Sequence, residues 1–286
     1  MNPLQRTLIE KAGHDTGFEH VFSSDNRLVV LASARYPAQV QVTALGQGFE
    51  VRIQNASVTL AQEMARNFAY KAEAEQIFVL QNEAALARWL RRAATLSQAL
   101  PNQAVIAFEQ QVQAELSSMA LPVVQNTEVL RMVRQRVGQQ AYRQAMLQYW
   151  GGACAVTGLV LPQALRASHA KPWAECITDA ERLDVYNGFL LNANLDALFD
   201  NFLISFTDDG KVLISREISQ SDRECLGLNS SMRLRWIAAS HFEYLGKLCI
   251  THSCACLVPG QSEKIQSMKQ AALDLKLSMK KTRKRE

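Results

Sequence analysis

The stretch "RASHAKPWAECITDAERLDVYNGFLLNANLDALFD", Arg166–Asp200, carries one of the chain's five histidines, His169, between a short apolar run and a Lys-Pro-Trp turn. The residues from Leu165 to His169 read as a strand. Asn187-Gly188 opens a second apolar run, to Ala193, which reads as the next strand. "NLDALFD" then reads as the start of a short helix capped by Asn194. A histidine at the end of one strand, an asparagine at the start of the next and carboxylates on a following helix can face one another in a small hairpin-plus-helix unit.

Those residue types suggest a chemistry. A neutral imidazole accepts a proton from water near pH 7. An asparagine carbonyl and aspartate carboxylates are oxygen ligands for a hard cation such as Mg2+. A base beside a metal can drive attack on a phosphodiester. Plainer readings stand beside this one. A single histidine next to Lys-Pro is often a turn or core residue, and Asn-Gly alone is a turn dipeptide.

Working outward, "LISFTDDGKVLIS", Leu203–Ser215, reads as a hairpin turning at Asp209-Gly210. Upstream, Thr127 to Trp150 reads as one long helix. Its Arg131, Arg134, Arg136 and Arg143 form either a solvated face or a phosphate-facing one, and the solvated face is the reading the helix itself favours. "ALPVVQNTE", Ala120–Glu128, reads as a linker and gives the domain cut. Before it the texture is mixed α and β. Strands are expected at Asn26–Ala34 and at Gln39–Gln54, the latter a hairpin around Gly46-Gln47-Gly48. Helices are expected over Thr59–Glu75 and over Asn82–Leu100, with Asn82 as cap and Leu86, Trp89, Leu90 and Ala93 on one face. Gln76–Leu80 is a short strand, and a further helix follows Pro101.

With 286 residues and 48% hydrophobic content the chain can bury a substantial core. No apolar run reaches the length of a membrane span, and the charged N-terminus does not read as a secretion signal, so a cytoplasmic location is expected. The six cysteines therefore suggest buried thiols or metal ligands rather than disulfides. Cys249, Cys254, Cys256 and His252 lie close together, but their C-x-C spacing lacks a second knuckle, and structural zinc is not expected. Net charge is +4, and five cations fall in the last seven residues: Lys280, Lys281, Arg283, Lys284 and Arg285. Such a tail is either a solvated end or a phosphate-binding arm.

The run from Cys154 to Ser215 resembles the HNH endonucleases, the ββα-metal nucleases. The segments that carry the resemblance are "CAVTG", "LRASHAKPW", "ERLDVYNGFLL", "ANLDALFD" and "LISFTDDGKVLIS", in that order, preceded by "VRQRVGQQAYRQAMLQYWGG". It covers roughly residues 127–240 and is closest to a bacterial group of that family. It implies an α+β fold, with the nuclease domain over 127–247 joined to an N-terminal mixed α/β module over 1–120, and with 248–286 left unplaced. His169 matches the family's general base, and Asn187 matches the asparagine that positions the base or the metal. Asp196 stands where many members have a metal-binding histidine. Ser168 replaces an acidic ligand found in relatives outside the group. Asp200 and Asn194 are kept as helpers, Asp200 alternatively as a helix-end hydrogen-bonding residue. Cys154 matches a cysteine that joins a zinc site in some members, but with no partner nearby it reads as a buried thiol.

By the same resemblance, the protein is expected to cut DNA with Mg2+ or Mn2+ and to leave 5′-phosphate and 3′-hydroxyl ends, in restriction or defence against foreign DNA. Arg166, Lys171 and the tail cations are the expected nucleic-acid contacts. The N-terminal module is left with recognition or oligomerisation, a homodimer included. The rival readings are a DNA-binding module on an inactive nuclease fold, since Asp196 and Ser168 depart from the common pattern, and a structural partner in a larger complex.

Overall fold

The computed structural model describes residues 1–68, 76–119 and 127–245, with the backbone of 70–72. Residues 120–126 of the linker expected at Ala120–Glu128, the Cys249–Cys256 cluster and the basic tail lie outside the described residues. The protein mixes helix and sheet. Among the described residues no helix is long and apolar enough to cross a membrane.

The N-terminal half is built on one antiparallel sheet of six strands: β1 (His20–Ser24), β2 (Leu28–Ala32), β3 (Gln39–Ala44), β4 (Phe49–Gln54), β5 (Tyr70–Ala72) and β6 (Ile77–Leu80), in the order β1-β2-β3-β4-β6-β5. The period of two explains the central hairpin. Val40 and Val42 on β3 and Phe49, Val51 and Ile53 on β4 face the core, in a register that pairs Val42 with Val51. Helices α1 (Pro3–Thr16) and α3 (Glu83–Ala99) cover this sheet. Leu86, Trp89, Leu90 and Ala93 of α3 are buried as their spacing predicts, and Asn82 caps the helix by accepting the Ala85 N–H at 2.9 Å.

Two local expectations need correction. The helix expected over 59–75 stops early, as α2 (Val58–Ala65), and Tyr70–Ala72 instead pairs with β6 at the sheet edge. Helical propensity is a weak preference, and strand pairing overrides it here. Helix α1 is not among the expected elements, yet its ends carry ordinary signals. Asn2 and Gln5 form a reciprocal capping box, and Gly17 closes the helix at φ 107.

Helices α4 (Gln103–Ser117) and α5 (Thr127–Tyr149) pack against each other, and α5 also packs on α3. One apolar core therefore runs without a break from Ile9 through Trp89 and Tyr149 to Phe189 and Leu245. The α5 arginines are engaged within the protein. Arg131 pairs with Glu128, Arg136 with Glu115, and Arg134 with Glu109 and Asp179, both at 2.6 Å. Arg143 donates to the Leu165 and Pro162 carbonyls at 2.8 and 2.9 Å. These contacts favour the solvated-face reading over the phosphate-facing one.

His241 sits at the centre of this core. It is fully buried and stacked on Phe189 at 5.3 Å, with Tyr149, Tyr186 and Trp150 around it. Its Nδ1 accepts the Ala238 N–H at 3.1 Å. Burial pushes its pKa down from 6.5 to about 4. Below 6.5 the unfolded chain takes up a proton that the native state refuses until about 4, so stability falls as the pH drops through that window. His241 alone should cost about 2 kcal/mol between pH 7.5 and pH 5, read from urea unfolding. The loss should shrink in a His241→Gln variant. An equal loss in that variant would contradict this assignment.

Candidate active site

Strands β7 (Leu165–His169) and β8 (Gly188–Asn192) pair antiparallel, with Ser168 opposite Phe189 and His169 opposite Gly188, and the segment between them carries the short helix α6 (Asp179–Leu183). Helix α7 (Ala193–Asp200) follows β8 directly and packs on both strands. Its cap is Asn192, whose side chain accepts the Leu195 N–H at 2.9 Å. The expected cap, Asn194, is instead an exposed residue within the first turn. The backbone is still extended at Asn192, which is the conformation a cap requires. Strand, loop, strand and helix thus form a ββα unit. Beyond it, β9 (Ile204–Phe206) and β10 (Val212–Ile214) form the hairpin expected around Asp209-Gly210.

His169 ends β7, half-buried, with its ring stacked on Tyr142 of α5 at 3.7 Å and met edge-on by Trp173 at 5.7 Å. Its Nε2 lies 2.9 Å from the Arg182 carbonyl. A carbonyl only accepts, so Nε2 carries the hydrogen and Nδ1 keeps its lone pair. Burial pushes the His169 pKa down to about 4, which leaves the ring neutral at pH 7. The arrangement is that of an oriented, unprotonated base.

The segment between the strands is held from within. Asn187 is completely buried. Its Oδ1 accepts the Lys171 N–H at 2.8 Å, and its Nδ2 donates to the Glu181 carbonyl at 2.9 Å and the Lys171 carbonyl at 3.3 Å. Both polar atoms are used by the loop. In this geometry the Asn187 amide, expected as a catalytic and metal-binding group, bonds inward to the loop that carries the Arg182 carbonyl. Lys171 also departs from expectation. Its side chain is only 10% exposed, and its ammonium meets both Glu181 oxygens at 2.9 Å, so it closes the loop instead of reaching for phosphate. Arg166 is exposed on β7, donating to the Gln163 and Leu165 carbonyls at 2.8 and 3.0 Å.

Two carboxylates lie one turn apart on α7. Asp196 is half-buried and accepts from the hydroxyl of Ser168, which is itself 2% exposed. The Ser168 hydroxyl therefore fixes the orientation of the Asp196 carboxylate. Asp200 lies four residues on, exposed, along the same helix face. Among the described residues no three His, Cys, Asp or Glu side chains gather into a metal-holding group. Mg2+ does not require one, because it commonly binds one or two carboxylates and completes its shell with water and substrate phosphate. The Asp196 carboxylate, steadied by Ser168, fits that pattern; the enclosed Asn187 amide does not. Cys154 is a buried free thiol, as its lack of a near partner suggests.

Other residues that shape the site carry weaker sequence signals. Tyr142 and Arg182 have none beyond residue type. Gly138 does have one, as the single glycine inside α5. A Cβ there would lie 2.5 Å from Trp173 Cη2, so the glycine lets Trp173 seat against the helix and flank His169.

Residues 154–207 match a family model described as HNH endonuclease. The matched span holds β7, the loop, β8, α7 and β9, and so includes each of the site residues above except Tyr142 and Gly138. No curated protein matches the chain.

Proposed function

Because the chain carries an HNH endonuclease-family segment over 154–207, we propose that it hydrolyses DNA phosphodiester bonds with a divalent metal. The observation that carries this reading is the His169 imidazole, held by Nε2 on the Arg182 carbonyl with Nδ1 left to accept a proton. Nδ1 removes a proton from water as the water oxygen bonds to phosphorus. The bond to the 3′ oxygen breaks, and that oxygen leaves with a proton from solvent, giving 5′-phosphate and 3′-hydroxyl ends. The Arg182 carbonyl then faces an imidazolium and stabilises it. The negative phosphate of bound DNA raises the His169 pKa from its low value toward working pH. Asp196, with Asp200 one turn away, would hold a divalent cation, which would supply positive charge beside the phosphate. The exposed Arg166 contributes a phosphate contact.

Nucleases of this family generally use divalent metal ions. The assignment to Asp196 makes a direct prediction. Asp196→Ala should raise the Mg2+ concentration needed for half-maximal cleavage by about tenfold or more, with partial rescue by Mn2+. An unchanged metal requirement would move the site to Asp200. End-labelling of the products tests the bond that is cut, since ends that cannot be religated would contradict the proposed chemistry.

Asp196 and Ser168, which stand where many relatives have a histidine and an acidic ligand, favour one rival, a DNA-binding module on an inactive nuclease fold. Salt-sensitive DNA binding without cleavage in any metal would establish it. The restriction or defence setting is proposed from the resemblance to the bacterial group. It predicts reduced phage plating on cells that express the wild-type protein but not His169→Ala.

A further inference from the structure

Helix α2, in the N-terminal half, carries a carboxylate where the two halves meet. Glu63 is 2% exposed. It accepts from Tyr186 Oη at 3.0 Å, from Tyr149 Oη at 3.2 Å and from Arg66 Nε at 2.7 Å. Arg66 reaches on to the Ile237 carbonyl at 3.1 Å. Burial raises the pKa of both phenols, so both remain donors. A buried carboxylate is costly unless it is fully paired, and an apolar contact of the same size is often as stabilising. What directed hydrogen bonds add is a single fixed geometry.

That geometry is passed on to the site. Tyr186 directly precedes Asn187. Its own N–H is held by Asp184 Oδ1 at 2.8 Å, and the Asn187 N–H by the Asp184 carbonyl at 2.9 Å. The Asn187 amide in turn fixes Lys171 and Glu181, and the residue after Glu181 is Arg182, whose carbonyl orients His169. Tyr149 shares Glu63 but lies on the last turn of α5, outside this loop.

We propose that Glu63 is a positioning residue for His169, acting through the Tyr186 hydroxyl to fix the 171–187 loop, so that the N-terminal half completes the nuclease site. The effect on cleavage rests on the nuclease reading above; the hold on the loop does not. Two readouts on the full chain test it. Glu63→Gln and Tyr186→Phe should each lower kcat on plasmid DNA by about tenfold or more, as expected for a slightly misplaced reacting group, with KM unchanged within about twofold. The double variant should be little worse than either single one. Tyr149→Phe, which removes an equivalent hydrogen bond, should lower thermal stability by a similar amount and leave kcat near wild type. Amide hydrogen exchange at Lys171, Ile177 and Asn187 should quicken in Glu63→Gln and Tyr186→Phe but not in Tyr149→Phe. Wild-type kcat in Tyr186→Phe, or an equal kcat loss in Tyr149→Phe, would overturn the proposal, as would unchanged exchange in Tyr186→Phe. If the wild-type protein cuts no DNA, the nuclease reading fails, and exchange alone decides whether Glu63 holds the loop.

Discussion

Replacing His169 with alanine is expected to lower the DNA cleavage rate by about 10²–10⁴-fold, the usual cost of losing a positioned general base. The imidazole also makes structural contacts. Its Nε2 is spent on the Arg182 carbonyl and its face on Tyr142, and it is half-exposed at a strand end. Alanine leaves the β7–β8 pairing intact because the His169 pairing to Gly188 is made by backbone. Affinity should hardly change, since Arg166 and other surface cations are untouched. Purified wild type and variant should therefore bind the same duplex with similar Kd, share a far-UV spectrum, and differ in turnover. Wild-type turnover in the variant would remove His169 from the chemistry.

Gly188→Ala should show the largest loss of stability. Gly188 has φ 155, and a Cβ added there would lie 1.9 Å from the Ser168 carbonyl oxygen and 2.5 Å from Tyr142 Oη. The obstacle is backbone, which cannot swing aside as a flexible side chain would. The β7–β8 pair would have to open at His169, and Tyr142 would lose its 3.1 Å bond to the Asn187 carbonyl. A loss of more than about 3 kcal/mol is expected, with activity abolished. Gly151→Ala is the control. It has φ 65 but nothing within 4 Å, so only the left-handed backbone cost of roughly 1–2 kcal/mol applies. Urea midpoints of the two variants measure the difference. Equal losses would mean that the close approach at Gly188 is absent.

The features legible in the sequence were those decided locally. Strands β7 and β8, the β9–β10 hairpin at Asp209-Gly210 and helix α3 with its Asn82 cap follow from periodicity and turn chemistry within a few residues. The end of α2 and the edge strand β5 do not, because pairing with β6 decides them. The base was legible as a residue, but its orientation was not. The Arg182 carbonyl lies 13 positions away, and the Tyr142 ring belongs to another helix. Asn187 and Lys171 show the same limit. Their types suit a metal and a phosphate, and only the folded loop shows that each bonds inward, to Lys171 and Glu181 backbone and to the Glu181 carboxylate. Asp196 depended on a neighbour in the fold, since Ser168 stands 28 residues before it and still meets it across the strand–helix contact.

The most direct test of the central claim is a plasmid cleavage assay with purified wild type and His169→Ala, run in parallel with Mg2+, Mn2+ and EDTA. The account predicts that wild type converts supercoiled plasmid to nicked or linear product with Mg2+ or Mn2+, that EDTA stops it, and that His169→Ala leaves the plasmid intact while still binding it. Cleavage by His169→Ala at the wild-type rate, or no cleavage by wild type in either metal, would contradict it.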